Sequence, residues 1–221
     1  MVAVRLHGVA YDDDLAVQAF ARHLEALAPD RPIIAGMRAF LEDKPQLAPR
    51  PPWSGTSRPP VTGDRAVEQL ALAADLAPAQ IDAAHLASRH DLAGTAWILD
   101  PADGLPELLD LLRGRADLVL VADPNDPATG PVLDALDLAG RYPVIPVDEL
   151  SPALANRTAL LIDADWSPVL AAAWAAGHAT ALVDRFGSGD GTPSLRAPDL
   201  AGLMPGVAVW RDRQSPDEGE P

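Results

Sequence analysis

Cysteine is absent from the 221-residue chain, and lysine occurs only once, as Lys44. Without cysteine the chain has no disulfide, no thiol catalyst and no thiolate metal ligand, a composition that fits the cytoplasm. Any mechanism that needs a lysine other than Lys44 is excluded. Scarce lysine beside abundant alanine, proline, aspartate and arginine is typical of a high-GC bacterial genome.

Long apolar runs and basic clusters are also missing. No run approaches the roughly 18 to 20 apolar residues that a membrane span needs, and the N-terminus lacks the basic-then-apolar layout of a secretory signal. The net charge is −15, and no group of arginines could form the basic face that binds a phosphate backbone. We therefore expect a cytoplasmic protein with no membrane and no nucleic-acid partner, whose acidity serves solubility.

Short apolar segments alternate with helical patterns along most of the chain. The continuous apolar run LVLVA is typical of a strand covered on both faces of a sheet. Strands are predicted at Val2–Leu6, Leu118–Ala122, Val144–Val147, Ala159–Ile162, Thr180–Val183 and Val207–Trp210. Strands that alternate with helices indicate an α/β fold with a doubly wound, Rossmann-like parallel sheet.

A long, mainly helical segment separates the first two predicted strands. Helical patterns cover Leu15–Ala28, Ile33–Leu41, Asp64–Ala74 and Pro78–Arg89, far more than a crossover needs. We therefore predict a core domain of residues 1–12 and 96–214. A mainly helical cap is predicted at 13–95 with a Pro-rich loop at 44–62, and a disordered tail at 215–221.

Three segments of the sequence resemble motifs of one enzyme superfamily. The stretch LLIDADWSPVLAAAWAAGHATALVDRFG (160–187) has a strand, an acidic turn, an Ala-rich helix ending in Ala-Ala-Gly, and a further strand. The opening VRLHGVAYDD is similar to a motif written hydrophobic-D-x-D-G-T-L-x-D, with Gly8 and Asp12 matching. The stretch from DGLPELLDLLRGR to RYPVI resembles the surroundings of a second motif. Together they resemble the haloacid dehalogenase (HAD) superfamily, in its form with a helical cap.

The resemblance implies a four-part active site. In that superfamily an aspartate at the end of the first strand attacks the substrate, and a carboxylate two residues later acts as acid and base. A serine or threonine and a lysine hold the transferred group, and motif aspartates bind Mg²⁺ with the nucleophile.

Most of these parts are replaced in this chain. The nucleophile position is Arg5 and the acid/base position is His7, while the hydroxyl position of the second motif is Ala122. The only lysine lies in the predicted helical cap, and the second carboxylate of the fourth motif falls on Val169. Asp165 alone is retained. The resemblance therefore implies a degenerate member that has lost phosphatase or dehalogenase activity, a pseudoenzyme.

Such a protein is expected to be a binding or regulatory module. We predict that Arg5 pairs with Asp165 where Mg²⁺ would lie, with Asp163 and Asp123 joining, because a guanidinium bonds a carboxylate bidentately. The expected partners are a small anionic ligand held by Arg5 and His7, or another protein, and no cofactor is expected. His7 is interpreted as a hydrogen-bonded pocket residue rather than a catalyst.

The alternative is a divergent HAD hydrolase of the phosphatase type. It would act on a small phosphorylated metabolite, with Asp123 or Asp165 as nucleophile or base. Only this alternative requires Mg²⁺, and Asp165 would then be its ligand.

Overall fold

The computed structural model describes residues 1–42, 62–187 and 191–214. The predicted tail at 215–221 lies outside these residues, as does all of the Pro-rich loop at 44–62 except Thr62. Among the described residues, no helix combines the length and the apolar character that crossing a bilayer requires.

A parallel sheet forms the centre of the molecule. Its strands in chain order are β1 Val2–Arg5, β2 Leu118–Val121, β3 Val144–Ile145, β4 Leu160–Asp163, β5 Ala179–Val183 and β6 Leu195–Ala197. They lie in the order β3-β2-β1-β4-β5-β6, and every neighbouring pair is parallel. The predicted α/β class and doubly wound parallel sheet are confirmed, with β1 at the centre and the direction of winding reversing beside it.

Helices cover both faces of the sheet. They are α5 Leu105–Leu112, α6 Thr129–Ala135, α7 Val147–Leu154, α8 Pro168–Ala175 and α9 Leu200–Gln214. Successive residues of a strand point to opposite faces. Accordingly Val2 and Val4 pack with α5, α6 and α9, whereas Ala3 packs with α7 and α8.

The long segment between β1 and α5 forms four helices, and we call it the insert. They are α1 Asp14–Leu27, α2 Ile33–Leu41, α3 Gly63–Ala73 and α4 Pro78–Thr95, and a short 3-10 helix Ala96–Ile98 follows. These helices share an apolar cluster of their own that includes Phe20, Met37 and Val67. Leu15 and Leu27 of α1 lie outside this cluster and are 36% and 50% exposed.

The last predicted strand is wrong. Val207–Trp210 lies inside helix α9, and the edge strand β6 comes earlier, at Leu195–Ala197. The short apolar run at 207–210 does not by itself distinguish a strand from a buried helical segment. Its packing decides the matter, because Leu203 and Val207 lie four residues apart and are both buried in the main core.

Candidate functional site

The carboxyl ends of β1 and β4 open toward the insert. Arg5 is the last residue of β1, and Asp163 is the last residue of β4. Gly8 then adopts a φ of +74°, in the left-handed region that favours glycine, where the chain turns toward the insert. A cleft of about 330 Å³ lies between these strand ends and helices α1, α3 and α4. We call it the Arg5 cleft, and it is lined by Arg5, His7, Gly8, Asp13, Phe20, Thr62, Asp64, Arg65, Glu68, Ile81, Asp82, His85, Asp163, Ala164 and Asp165.

The predicted contact between Arg5 and Asp165 does not form. Among the described residues, no ion pair within 4.0 Å joins these two side chains. The strand register explains this, because Val4 lies beside Ile162 and so aligns Arg5 with Asp163, on the same face of the sheet. Asp165 lies two residues beyond the strand, and its charge acts on Arg65 of α3, whose pKa is raised chiefly by the Glu68 hydrogen bond and further by Asp165.

Asp163 is held in place by its own turn. Its Oδ1 accepts hydrogen bonds from the backbone N–H groups of Ala164, at 2.8 Å, and Asp165, at 3.4 Å. Its Oδ2 accepts one from the hydroxyl of Ser167, at 3.2 Å. Burial raises the pKa of Asp163, while the charge of Arg5 and these three hydrogen bonds oppose the rise. Both carboxylate oxygens are therefore already engaged by the chain itself.

A buried arginine from the insert reaches the other side of His7. Arg89 of α4 is only 5% exposed. Its Nε donates to Oδ2 of Asp126, at 2.8 Å, and its Nη2 lies 2.8 Å from Nδ1 and 2.9 Å from Nε2 of His7. The hydroxyl of Tyr11 lies 2.5 Å from His7 Nδ1. This network of Arg89, His7, Tyr11 and Asp126 bonds the insert to the core.

The network fixes the charge of His7. Burial lowers the pKa of His7 to about 2, and the positive charges of Arg89 and Arg5 add to the effect. The imidazole is therefore neutral at physiological pH, and it can accept a hydrogen bond from the guanidinium, which has only donors. His7 is hydrogen-bonded, in agreement with the interpretation made from the sequence. A neutral imidazole with so low a pKa is a weak base, and near neutral pH it is not protonated and cannot act as a general acid.

The second-motif residues are not brought into the cleft. Ala122 is 1% exposed and donates its backbone N–H to the carbonyl of Ile145. Asp123 is exposed, and its Oδ1 accepts from the backbone N–H of Asn125, at 2.8 Å. It is Asp126, three residues later, that reaches His7, with its Oδ2 at 3.6 Å from Nε2.

Sequence reasoning missed Arg89, Tyr11 and Asp126. One signal was available for Arg89, which follows Ser88 and precedes Leu92 on the buried side of α4. A charged side chain at such a position is rarely buried without a partner. The partners are 37 and 82 residues away in the sequence, so the pattern alone cannot identify them.

The residues at the ends of β1 and β4 do not fit Mg²⁺. The ion prefers several oxygen ligands in octahedral geometry. Here a guanidinium, Arg5, stands at the central strand end, and the oxygens of Asp163 are engaged by the turn. The charges that line the Arg5 cleft also disfavour the expected anionic ligand, because six carboxylates and two guanidiniums line it.

A second, larger cavity lies beside the Arg5 cleft. We call it the Asp13 cavity. It measures about 690 Å³, and its walls come from the segments around Asp12–Leu15, Ile98–Asp103, Arg185 and Pro198–Leu200. Arg185 bonds Asp14 through both terminal nitrogens, at 2.8 and 2.9 Å, and Asp12 at 3.0 Å.

Asp13 lines both the Arg5 cleft and the Asp13 cavity. Burial, together with the neighbouring carboxylates of Asp64, Asp12 and Asp14, raises the pKa of Asp13 to about 7, and Arg185 opposes this rise. The acidic run of residues 12–14 is thus partly neutralised by Arg185 and partly left in a strongly negative potential.

Solved structures of hydrolases share this architecture over nearly the whole chain. A haloacid dehalogenase-like hydrolase from Streptococcus pneumoniae has a TM-score of 0.62 and 13% identity, covering 93% of this chain and 97% of its own. A HAD-superfamily hydrolase of subfamily IA from Geobacter sulfurreducens has a TM-score of 0.56 and 17% identity, over 94% and 95%. An L-2-haloacid dehalogenase has a TM-score of 0.54 and 18% identity, over 93% and 97%.

The sequence itself matches no protein-family model. It also matches no curated protein. At these low identities the likeness concerns the backbone arrangement, which agrees with the resemblance carried by the strand and helix motifs. The chain has the fold of the HAD-superfamily hydrolases.

Proposed function

We propose that this chain is a non-hydrolytic protein of the HAD fold that works by binding, as a binding or regulatory module. The observation that carries the proposal is the guanidinium of Arg5 at the end of the central strand β1. A guanidinium has five donors and no lone pair with which to attack phosphorus or carbon. The covalent mechanism of the superfamily begins with a carboxylate nucleophile at that strand end. This chain has no such nucleophile at that position.

The other side chains at the site support the same proposal. The neutral imidazole of His7 is bonded by Arg89 and Tyr11, so it has neither a nucleophile to assist nor a proton to give near neutral pH. Both carboxylate oxygens of Asp163 accept hydrogen bonds from residues of its own turn. Of the carboxylates that would attack the substrate, transfer protons or bind the metal, Asp165 is the one retained, and its charge acts on Arg65 of the insert.

A turnover assay tests the proposal. The full chain is incubated with Mg²⁺ and a broad set of phosphate esters and 2-haloacids, beside an active HAD hydrolase as positive control. We expect no turnover above the protein-free blank. Robust turnover that disappears in Asp165→Ala or Asp123→Ala would overturn the proposal and establish the divergent hydrolase instead.

A further inference from the structure

We propose that the Asp13 cavity binds a small organic cation, an ammonium or amidinium group attached to an apolar body. The inference rests on the proposed binding function, and it assigns a ligand class to a space separate from the network around His7. The cavity, at about 690 Å³, lies within the range of small-molecule sites, roughly 300 to 1,000 Å³.

The charge of the cavity favours a cation. Six aspartates line it, at positions 12, 13, 14, 100, 103 and 199, against one arginine, Arg185. The guanidinium of Arg185 is committed to Asp12 and Asp14. Within the described parts of the chain, the side chains of Asp13, Asp100 and Asp103 form no hydrogen bond or ion pair with another residue. These three carboxylates come from two separate segments and line one cavity.

The apolar part of the wall favours an organic cation over a bare metal ion. Leu15 is 36% exposed and Ile98 is 45% exposed, and both line the cavity with Val183 and Leu200. A ligand pocket typically combines such apolar walls with a few polar groups that orient the ligand. A divalent metal would prefer the compact group of Asp12, Asp13 and Asp14, but Arg185 already bonds two of these carboxylates.

The geometry gives each part of the ligand a place. Asp100 and Asp103 lie on the segment that follows the 3-10 helix Ala96–Ile98, and Asp13 is the N-cap residue of helix α1. The two connections between insert and core run together at this point, with the backbone N–H of Ala102 bonded to the carbonyl of Ala10, at 2.9 Å. An ammonium group would therefore bind near the crossing of these connections, with its apolar body against Ile98 and Leu15.

Calorimetric titration with n-hexylammonium tests the inference, using the full chain. Hexan-1-ol and hexanoate serve as neutral and anionic probes of the same length. We expect saturable binding of hexylammonium, binding of hexan-1-ol at least about tenfold weaker, and no binding of hexanoate. Equal binding of the alcohol and the amine, or no binding of the amine, would overturn the proposal.

Variants locate the binding. Asp100→Asn/Asp103→Asn should weaken hexylammonium binding about tenfold, since each exposed charge contact contributes a few-fold. The matched control is Asp30→Asn/Asp134→Asn, which removes two exposed carboxylates that do not line the cavity and should leave binding unchanged. Ile98→Ser, at an exposed position, should also weaken binding.

Three outcomes would contradict the inference at this cavity. They are unchanged affinity in Asp100→Asn/Asp103→Asn, equal loss in the control pair, and displacement of the amine by stoichiometric Mg²⁺ or Ca²⁺. None of them bears on hydrolysis, so the inference and the proposed function can fail separately.

Discussion

The Arg5 cleft and the Asp13 cavity adjoin each other at the same edge of the sheet, but their charges are arranged differently. Beside the Arg5 cleft, Arg89 of the insert is buried against Asp126 and His7 of the core. In the Asp13 cavity, one exposed arginine faces six aspartates. Removing one member of a paired, buried charge network is costly, whereas a cavity with unbalanced charges favours a ligand of opposite charge. The comparison therefore separates a region where insert and core charges pair with each other from a region where carboxylates are in excess.

The largest effect is expected from breaking the charge network around Arg89. Arg89→Ala leaves the carboxylate of Asp126 and the ring of His7 without their partner in a largely buried place. Removing one member of a buried ion pair costs about 3 kcal/mol of unfolding free energy. Urea unfolding followed by circular dichroism measures this loss.

Two further variants serve as controls for Arg89→Ala. Arg113→Ala removes an arginine from an exposed pair with Asp110, and should change the unfolding free energy by less than about 1 kcal/mol. Arg89→Lys should restore only part of the loss, because lysine lacks the planar fork. A loss for Arg89→Ala as small as that for Arg113→Ala would show that the network does not hold the insert to the core.

A smaller effect of opposite sign is expected at Asp13. The pKa of this carboxyl is about 7 in the folded chain, whereas an unfolded chain releases the proton near pH 4, as an ordinary aspartate does. Between these pH values the folded state binds more protons, so its stability falls as the pH rises. Asp13→Asn should remove this slope and raise the unfolding free energy at pH 8.

Unfolding measured from pH 4 to pH 8 tests that expectation. Asp30→Asn, at an exposed site outside the cavity, is the matched control and should leave the pH slope as in the wild type. Equal slopes in wild type and Asp13→Asn would show that Asp13 titrates normally and that the cavity is less negative than its aspartates suggest.

The smallest effect is expected at Arg185. Its side chain is 39% exposed, so Arg185→Ala should cost about 1 kcal/mol or less, because solvent screens its pairs with Asp12 and Asp14. Removing this charge should also raise the pKa of Asp13 further, since Arg185 is the group that lowers it. A steeper loss of stability with rising pH in Arg185→Ala would demonstrate that coupling, and an unchanged slope would refute it.

Local pattern predicts most of the fold and only part of the site. The apolar run at Leu118 marks strand β2, and helix α2 spans the predicted Ile33–Leu41 because its apolar spacing is regular. The apolar run at Val207 predicts a strand, but the segment is helical because it packs against the core as part of α9. Side-chain partners are harder still, because Arg89 meets residues from two distant segments that only the folded chain brings together.

The position of Arg5 shows the same limit within the site. The sequence places a guanidinium at the end of β1, and the structure agrees. The motif predicts Asp165 as its partner, whereas the strand register aligns Arg5 with Asp163, and the charge of Asp165 acts on Arg65 of the insert. Register depends on pairing between distant segments, and one sequence does not reveal it.

The absence of a competent nucleophile is the central claim, and trapping a covalent intermediate tests it most directly. The chain is mixed with Mg²⁺ and a reactive phosphoryl donor such as acetyl phosphate, quenched in acid, and weighed intact by mass spectrometry beside an active HAD phosphatase. We predict an unchanged mass for this chain while the control phosphatase gains a phosphoryl group. A phosphoryl adduct that maps to Asp123, Asp163 or Asp165 would contradict the claim.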